Sequence, residues 1–295
     1  MGMSKERILV GIASYRDPEL LKTIQDCLAK AKHPDRVNFA VINQYDDSTR
    51  FMLHYFNNER LKLINIHHLQ SHGVGYARRL MTDLWGGEDF VLQIDAHTRF
   101  ESDWDEILLQ QWYAINDQRA VFSAHPIGYS YEEDGSESML HDDHIGKIKV
   151  DKFAGDIPIF KGERHKPAGD LSESIVGVAA GFIFGPGAVF GVPYIREICF
   201  MGEEFARAFQ LYSHGFNLYS PRRLPVRHLY YRKDTRFWHD LPSAGKRSHY
   251  DEMTARSYAF VRSFLRGDLS NYHAYFGPER TLEQFEEYIG VRVAL

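Results

Sequence analysis

Short apolar runs alternate with amphipathic stretches along the first hundred residues. The runs that favour strands cover residues 7–13, 37–43, 61–66 and 90–94. Between them, apolar positions recur at helical spacing after Pro18 and again over residues 73–84. Strands that alternate with helices predict an α/β fold, with a central mostly parallel sheet that is flanked by helices.

Polar residues follow three of these predicted strands at their carboxyl ends. They occupy residues 14–17, 44–48 and 95–99. In open parallel sheets, ligands bind outside the carboxyl ends of the strands. We therefore expect the functional groups of the chain to gather at this edge of the sheet.

The second half of the chain is less regular. Residues 129–172 are acidic, punctuated by glycine and poorly periodic, which indicates an inserted loop with a hairpin over residues 149–160. Apolar character returns over residues 175–184, and an amphipathic helix is expected over residues 202–215. The aromatic and basic end of the chain favours a further helix over residues 252–265.

Composition argues against several classes of protein but does not identify a function. Lys and Arg number 35 against 40 Asp and Glu, so the net charge of −5 gives no support to a nucleic-acid partner. Cys27 and Cys199 lie in apolar periodic segments, where buried thiols are expected rather than a disulfide framework. Since no apolar stretch is long enough for a leader or a membrane span, we expect a cytoplasmic protein.

The triplet Asp95-Ala96-His97 is the first candidate for chemistry. Side chains two apart on an extended segment project to the same side, so Asp95 and His97 are placed to share one cation. A carboxylate with an imidazole suits Mn²⁺ or a similar ion better than Ca²⁺. The spacing alone also fits an aspartate that begins a turn beside a solvated histidine.

A third metal ligand has two candidates. His228 follows an apparent strand over residues 223–226, and its neighbours Tyr231 and Arg232 are suited to phosphate oxygens. The alternative is the acidic cluster of residues 141–144, but its sequence favours a solvated loop, since no predicted strand or helix frames it.

Two charged pairs complete the candidates. Arg78 and Arg79 open a helix, where an arginine can bind an anion or simply lie on the surface. Glu203 and Glu204 open the helix over residues 202–215, where acidic residues favour the helix dipole or can face a substrate. The chain contains no G-x-S-x-G, P-loop, H-E-x-x-H or C-x-x-C motif.

Taken in order, seven segments resemble the GlcNAc-transferase family. They are ASYRDPE, QYDDS, GVGYARRL, QIDAHTRF, VAAGFIFGP, FMGEEFARAFQLYSHGFNLYSP and RHLYYR. That family includes cytoplasmic transferases that add GlcNAc to hydroxyproline or threonine of polypeptides, and its pattern is similar to that of the polypeptide GalNAc-transferases. The resemblance covers residues 7–240.

The resemblance implies a GT-A fold, a UDP-sugar donor such as UDP-GlcNAc, a Mn²⁺ or Mg²⁺ ion and retention of the anomeric configuration. By the same resemblance, the metal ligands would be Asp95, His97 and His228. Its substrate-binding residues are Ser14, Tyr15, Arg16, Asp47, Arg78, Arg79, Ala180, Gly181 and Tyr231, and its catalytic residues are Glu203, Glu204 and Arg232. Residues 1–232 would form the catalytic domain and residues 233–295 an extension on the acceptor side, where a peptide or glycan hydroxyl would bind.

Two other functions share some of these residues. A metal-dependent phosphohydrolase of nucleotide diphosphates would use the same D-x-H cation site, together with ligands for a second metal. A non-catalytic module that binds a nucleotide sugar would need the pocket but no acidic pair.

Overall fold

The computed structural model describes residues 6–49, 60–139, 144–167, 172–231, 237–268 and 275–293. The strands of these residues are β1 (Ile8–Tyr15), β2 (Val37–Tyr45), β3 (Leu61–His67), β4 (Phe90–Ile94), β5 (Thr98–Phe100), β6 (Ala120–Ser123), β7 (Ile127–Tyr131), β8 (Glu137–Met139), β9 (Ile145–Ala154), β10 (Ile157–His165), β11 (Glu173–Ser174), β12 (Phe182–Pro186), β13 (Asn217–Ser220) and β14 (Val226–Leu229). The helices are α1 (Leu20–Lys30), α2 (Val74–Asp83), α3 (Trp104–Ile115), α4 (Ala188–Gly191), α5 (Glu203–Ser213), α6 (Phe237–Ser243), α7 (Arg247–Leu265) and α8 (Leu282–Ile289).

The central sheet has the strand order β3-β2-β1-β4-β12-β6-β13-β11. Strands β3, β2, β1 and β4 are parallel, as are β6 and β13, whereas β12 runs antiparallel to both of its neighbours. Strands β1 and β4 are buried along nearly their whole length, which explains their continuous apolar sequence. The predicted α/β fold with a mostly parallel, helix-flanked sheet is confirmed.

The first strands extend further than the apolar pattern predicts. Strand β1 continues to Tyr15 because its ladder with β2 runs on to the pair Tyr15 and Gln44. Ser14 and Tyr15 therefore lie in the strand rather than in the loop after it. Strand β4 ends at Ile94 as predicted, so Asp95 is the first residue beyond the sheet.

Residues 129–172, where the sequence favours a loop, contain two hairpins in the described part. Strand β7 pairs with β8, and β9 pairs with β10 along almost their whole length. Ile148 and Phe160 bury one face of the second hairpin, while ion pairs such as Lys149 with Glu163 occupy the other. The paired charges make this segment read as polar and irregular, which is why only a shorter hairpin over residues 149–160 was predicted.

Helices α7 and α8 share a hydrophobic core with α5. The ring centroids of Phe205 and Phe264 lie 6.1 Å apart, and those of Phe209 and Phe285 lie 5.4 Å apart. Helix α7 begins at Arg247, five residues before the predicted helix.

The division of the chain into two domains at residue 232 stays a prediction. In the described segments, no helix is both long and apolar enough to cross a membrane.

Candidate metal centre and substrate cavity

The turn between β4 and β5 and one strand pairing bring the three predicted metal ligands together. Asp95 follows β4 directly, and His97 precedes β5. Strand β14 pairs antiparallel with β5 so that His228 lies opposite Thr98. A residue 131 positions further along the chain than His97 is thereby placed beside the D-x-H triplet.

The ligand atoms of this triad lie close to one another. His228 Nε2 is 3.0 Å from Asp95 Oδ2 and 2.9 Å from His97 Nε2, and His97 Nε2 is 3.9 Å from Asp95 Oδ2. Neighbouring ligands of an octahedral cation with bonds of about 2.1 Å are about 3.0 Å apart. Two of the three distances between ligand atoms match that spacing, so Asp95, His97 and His228 fit one small divalent cation.

The chemistry of the donor set supports the same assignment. One carboxylate oxygen and two imidazole nitrogens form a mixed O/N set, which suits Mn²⁺ and other first-row ions better than Ca²⁺. Among the residues that the structure describes, this triad is the one group of three or more such side chains whose ligand atoms converge.

Asp17 holds the ring of His97 from the side opposite the triad. Its Oδ2 lies 2.8 Å from His97 Nδ1, and its Oδ1 accepts a hydrogen bond from the backbone N–H of Glu19. A carboxylate on Nδ1 favours the tautomer whose Nε2 carries a lone pair, which is the form that binds metal. The resemblance did not assign Asp17 a role, although the residue lies in the quoted segment ASYRDPE.

Buried charges fix Asp95. Burial by itself would raise the pKa of Asp95, but the hydrogen bond from His228 and the charges of His97, His228 and Arg78 hold that pKa well below its usual range. Arg78 is itself buried and lies between Asp95, at 3.5 Å, and Glu203, at 2.7 Å. Asp95 is therefore ionised and positioned before any cation binds.

The two glutamates at the start of α5 have different surroundings. Glu203 pairs with Arg78, whereas Glu204 Oε1 accepts a hydrogen bond of 2.8 Å from the backbone N–H of Ala180. Burial raises the pKa of Glu204 to about 7, and the nearby charge of Glu203 adds to this rise. Glu204 can consequently change its protonation state near neutral pH.

Ala180 and Gly181 bring the backbone close to the triad. A Cβ atom on Gly181 would lie 3.1 Å from Asp95 Oδ2 and 3.6 Å from the His228 ring. The carbonyl of Ala180 accepts a hydrogen bond from the buried Gln93 side chain, which holds this turn in place. The small residues therefore leave space beside the predicted cation.

Tyr15 and Arg16 meet a residue of α6. The hydroxyl of Tyr15 donates to Asp240 Oδ2 at 3.0 Å, and Nη1 of Arg16 donates to the same oxygen at 2.6 Å. Arg16 also donates through Nε to Asp46 at 2.7 Å. Its left-handed backbone (φ 47°) turns the chain out of β1 so that the guanidinium reaches both carboxylates.

A cavity of about 940 Å³ connects these groups. The predicted residues that line it are Tyr15, Arg78, Asp95, His97, Ala180, Gly181, Glu203, Glu204, His228 and Tyr231. Four others are not part of this lining. Ser14 is buried beneath it, Arg16 is held by Asp46 and Asp240, Asp47 is exposed in the turn after β2, and Arg79 pairs with Asp83. Arg232 and residues 141–143 lie outside the described residues.

Several lining residues have no counterpart in the sequence prediction. Gln44 and Ser71 hydrogen-bond to each other at the carboxyl end of β2, and His125 lies between β6 and β7. Gln44 belongs to the quoted segment QYDDS, so its position at a strand end was a usable signal. Ser71 and His125 carry no sequence signal that separates them from ordinary loop residues.

Solved structures share this fold. GalNAc-T7 with UDP, GalNAc and Mn²⁺ superimposes with a TM-score of 0.60 at 13% identity, over 97% of this chain and 55% of that one. TarS 1–349 of S. aureus gives a TM-score of 0.50 at 12% identity, over 96% and 78% of the two chains. The chain thus spans about half the length of the GalNAc-T7 structure. A search of curated proteins found no match.

The chain has the GT-A fold, and its triad lies at the carboxyl end of β4. The model of the family described as Glycosyltransferase (GlcNAc) matches residues 7–55 and 49–294, and the chain belongs to that family.

Proposed function

We propose that the protein is a metal-dependent, retaining transferase that moves a sugar, GlcNAc in our assignment, from a UDP-sugar to an acceptor hydroxyl. The observation that carries the proposal is the convergence of Asp95, His97 and His228 at the carboxyl end of β4. This position faces the cavity where a nucleotide diphosphate would lie. The likeness of the fold to GalNAc-T7 with UDP, GalNAc and Mn²⁺ supports a UDP-sugar and a cation of that kind.

In this proposal Asp95, His97 and His228 hold Mn²⁺ or Mg²⁺, which supplies positive charge to the leaving diphosphate. Asp17 keeps the His97 ring in its binding orientation. Arg78 keeps Asp95 ionised and aligned from the side of α2. Arg232, outside the described residues, is assigned by family resemblance to the same diphosphate.

The nucleotide is placed at the ends of β1 and β2. Tyr15 lines the cavity there, with Ser14 and Arg16 beside it and Asp47 in the following turn. We assign uridine to this end because aromatic and amide groups, such as those of Tyr15 and Gln44, bind a planar polar base. Arg79 is assigned to the donor with less support, since its guanidinium pairs with Asp83.

The sugar is placed between the turn of Ala180 and Gly181 and the start of α5. The small residues admit the ring close to the backbone, and Glu204 faces the same space. In the transfer, the C1–O bond to the diphosphate breaks and its electron pair leaves with UDP. The acceptor oxygen forms the new C1–O bond on the same face, and the acceptor proton passes to a phosphate oxygen of UDP.

A direct test is to incubate the protein with UDP-GlcNAc and Mn²⁺ and to follow the release of UDP. We expect release by the wild type, loss on adding EDTA, and a fall of at least about 100-fold in Asp95→Ala. Asp83→Ala, which alters an exposed acid of α2, is the matched control. The proposal fails if the wild type neither binds UDP nor releases it from any UDP-sugar.

The phosphohydrolase alternative requires a second metal site. The described residues offer one converging triad, and no observation favours a second. A panel of nucleotide diphosphates without sugar distinguishes the two functions, since a phosphohydrolase would release phosphate from UDP itself.

A further inference from the structure

The hairpin of β9 and β10 packs against His125, which lines the same cavity as the triad. The backbone N–H of His125 donates to the carbonyl of Gly146 at 3.0 Å. A Cβ atom added to Gly146 would lie 2.6 Å from the carbonyl oxygen of His125. One added to Gly162 would lie 2.7 Å from the Cβ atom of His125. Only glycine permits so close an approach, so both strands are fixed beside His125, which lines the cavity.

The other end of β10 packs on α5, the helix that begins with Glu203. Ile157 contacts the position of Gly202, and the rings of Phe160 and Phe205 lie 6.0 Å apart. The ladder shifts register between Ile159 and Phe160, where β9 carries one extra residue. Held at both ends, β10 presents Pro158, Ile159 and Phe160 to the cavity.

Two tyrosines at the end of β14 line the cavity beyond His228. Tyr230 and Tyr231 are 48% and 91% exposed, and the Tyr230 ring lies 4.3 Å from that of His228. The Tyr230 hydroxyl donates to the carbonyl of Pro126 at 2.6 Å, which fixes its ring. Met201 lines the cavity just before α5. Exposed aromatic faces beside a metal centre are suited to contact a substrate.

Charge is distributed unevenly along the cavity. Among the described lining residues, the acids are Asp17, Glu19, Asp95, Glu203 and Glu204, against the single buried cation Arg78. The residues that β10 and the end of β14 contribute, from Pro158 to Phe160 and from Leu229 to Tyr231, carry no charge. An anionic group beside Tyr230 would lie near the carboxylates of Asp95 and Glu204, whose charges act on the Tyr230 hydroxyl.

We propose that this uncharged end of the cavity is the acceptor subsite, and that its occupant is a neutral hydroxyl compound with an apolar group next to the attacked hydroxyl. The inference rests on the proposed transferase function and assigns the hairpin of β9 and β10 a role in acceptor specificity. Ile159 is the central residue of the apolar wall, because it lines the cavity and is only partly buried.

The test uses methyl and benzyl glycosides of the same sugars as acceptors, with UDP-GlcNAc and Mn²⁺ and with products detected by mass spectrometry. We expect the benzyl member of an accepted pair to have a KM at least about tenfold lower, the effect of burying part of an aromatic ring. Phosphorylated glycosides should be poorer acceptors than their neutral partners.

Variants locate the effect. Ile159→Thr keeps a β-branched side chain in the strand, and Ile159→Asp places a charge in the wall. Both should reduce the advantage of benzyl over methyl acceptors, chiefly through KM, and Ile159→Asp should abolish it. Phe153→Asp alters an exposed residue of the same hairpin that is not among the described lining residues, and should keep the wild-type ratio.

The proposal is overturned if no benzyl glycoside exceeds its methyl partner, if phosphorylated acceptors are preferred, or if Ile159→Thr changes the ratio no more than Phe153→Asp does. Metal-dependent release of UDP in the absence of acceptor is measured in parallel. Binding of UDP is measured as well. Either result would leave the transferase proposal standing when the acceptor inference fails, and the absence of both in the wild type would refute the transferase proposal itself.

Discussion

Asp17 Oδ2 lies 2.8 Å from Nδ1 of His97, eighty positions along the chain, while Nε2 of the same ring faces His228. One imidazole thus joins the end of β1 to the triad. The contact ties the tautomer of a predicted metal ligand to a buried carboxylate outside the triad.

We predict that Asp17→Asn weakens Mn²⁺ binding by about 10- to 100-fold, the usual effect of removing such a partner. The amide can still accept from the N–H of Glu19, so the fold should persist. Its NH₂ group would donate to Nδ1 of His97 and move the ring proton to Nε2, where the cation binds. Titration with Mn²⁺, followed by electron paramagnetic resonance, measures the change. An affinity equal to that of Asp83→Asn would contradict this role.

Arg78→Ala should destabilise the metal-free protein by about 3–5 kcal/mol, because it leaves the buried Glu203 and the partly buried Asp95 without their shared cation. Arg79→Ala is the matched control on the same helix. Its partly exposed pair with Asp83 should contribute less than about 1 kcal/mol. Urea denaturation gives both free energies of unfolding. Equal losses in the two variants would show that the buried cluster has no special role.

The raised pKa of Glu204 predicts that the free energy of unfolding of the metal-free protein depends on pH. Its folded-state pKa of about 7 exceeds the ordinary value of 4.5, so the folded state holds a proton that the unfolded state releases. Its contribution to the free energy of unfolding is therefore greatest below pH 4.5 and is lost as the pH rises to about 7. Stability of the wild type relative to Glu204→Gln should fall across that window, as measured by urea denaturation. Parallel curves for the two proteins would rule out the raised pKa.

Asp240 connects α6 to the carboxyl end of β1 through Tyr15 and Arg16. Removing it in Asp240→Ala breaks the hydrogen bonds from Tyr15 and Arg16, which should cost about 1–2 kcal/mol of local stability. Amide hydrogen exchange within α6 should then quicken by about 5- to 30-fold. Asp251→Ala, an exposed change on α7, serves as the control. Unchanged protection of α6 would mean that other contacts hold this helix.

The local sequence was sufficient to predict those parts of the site that lie on a single strand or directly after it. The β-branched run of β4 and the polar break at Asp95 predict both the strand and the ligand position. Sequence motifs also indicated His228, yet its distance from Asp95 depends on the pairing of β14 with β5, which no local pattern encodes. The family resemblance supplied that link.

Other features depend on side-chain orientation or on distant contacts. The sequence could not show that Asp46 rather than Asp47 meets Arg16, because the conformation of a single turn decides which acid faces inward. It could not separate Glu203 from Glu204, since their difference arises from Arg78 and Ala180. The hairpin of β9 and β10 was obscured because its charged residues pair across the strands and hide the apolar face beneath.

The central claim is that Asp95, His97 and His228 together hold one divalent cation, with His228 the ligand that sequence spacing supports least. The most direct measurement is the stoichiometry and affinity of Mn²⁺ binding in the presence of UDP, for the wild type, His228→Ala and the distant control His214→Ala. We predict one ion per chain in the wild type and the control, and an affinity at least about 100-fold weaker in His228→Ala. Wild-type affinity in His228→Ala would contradict the account.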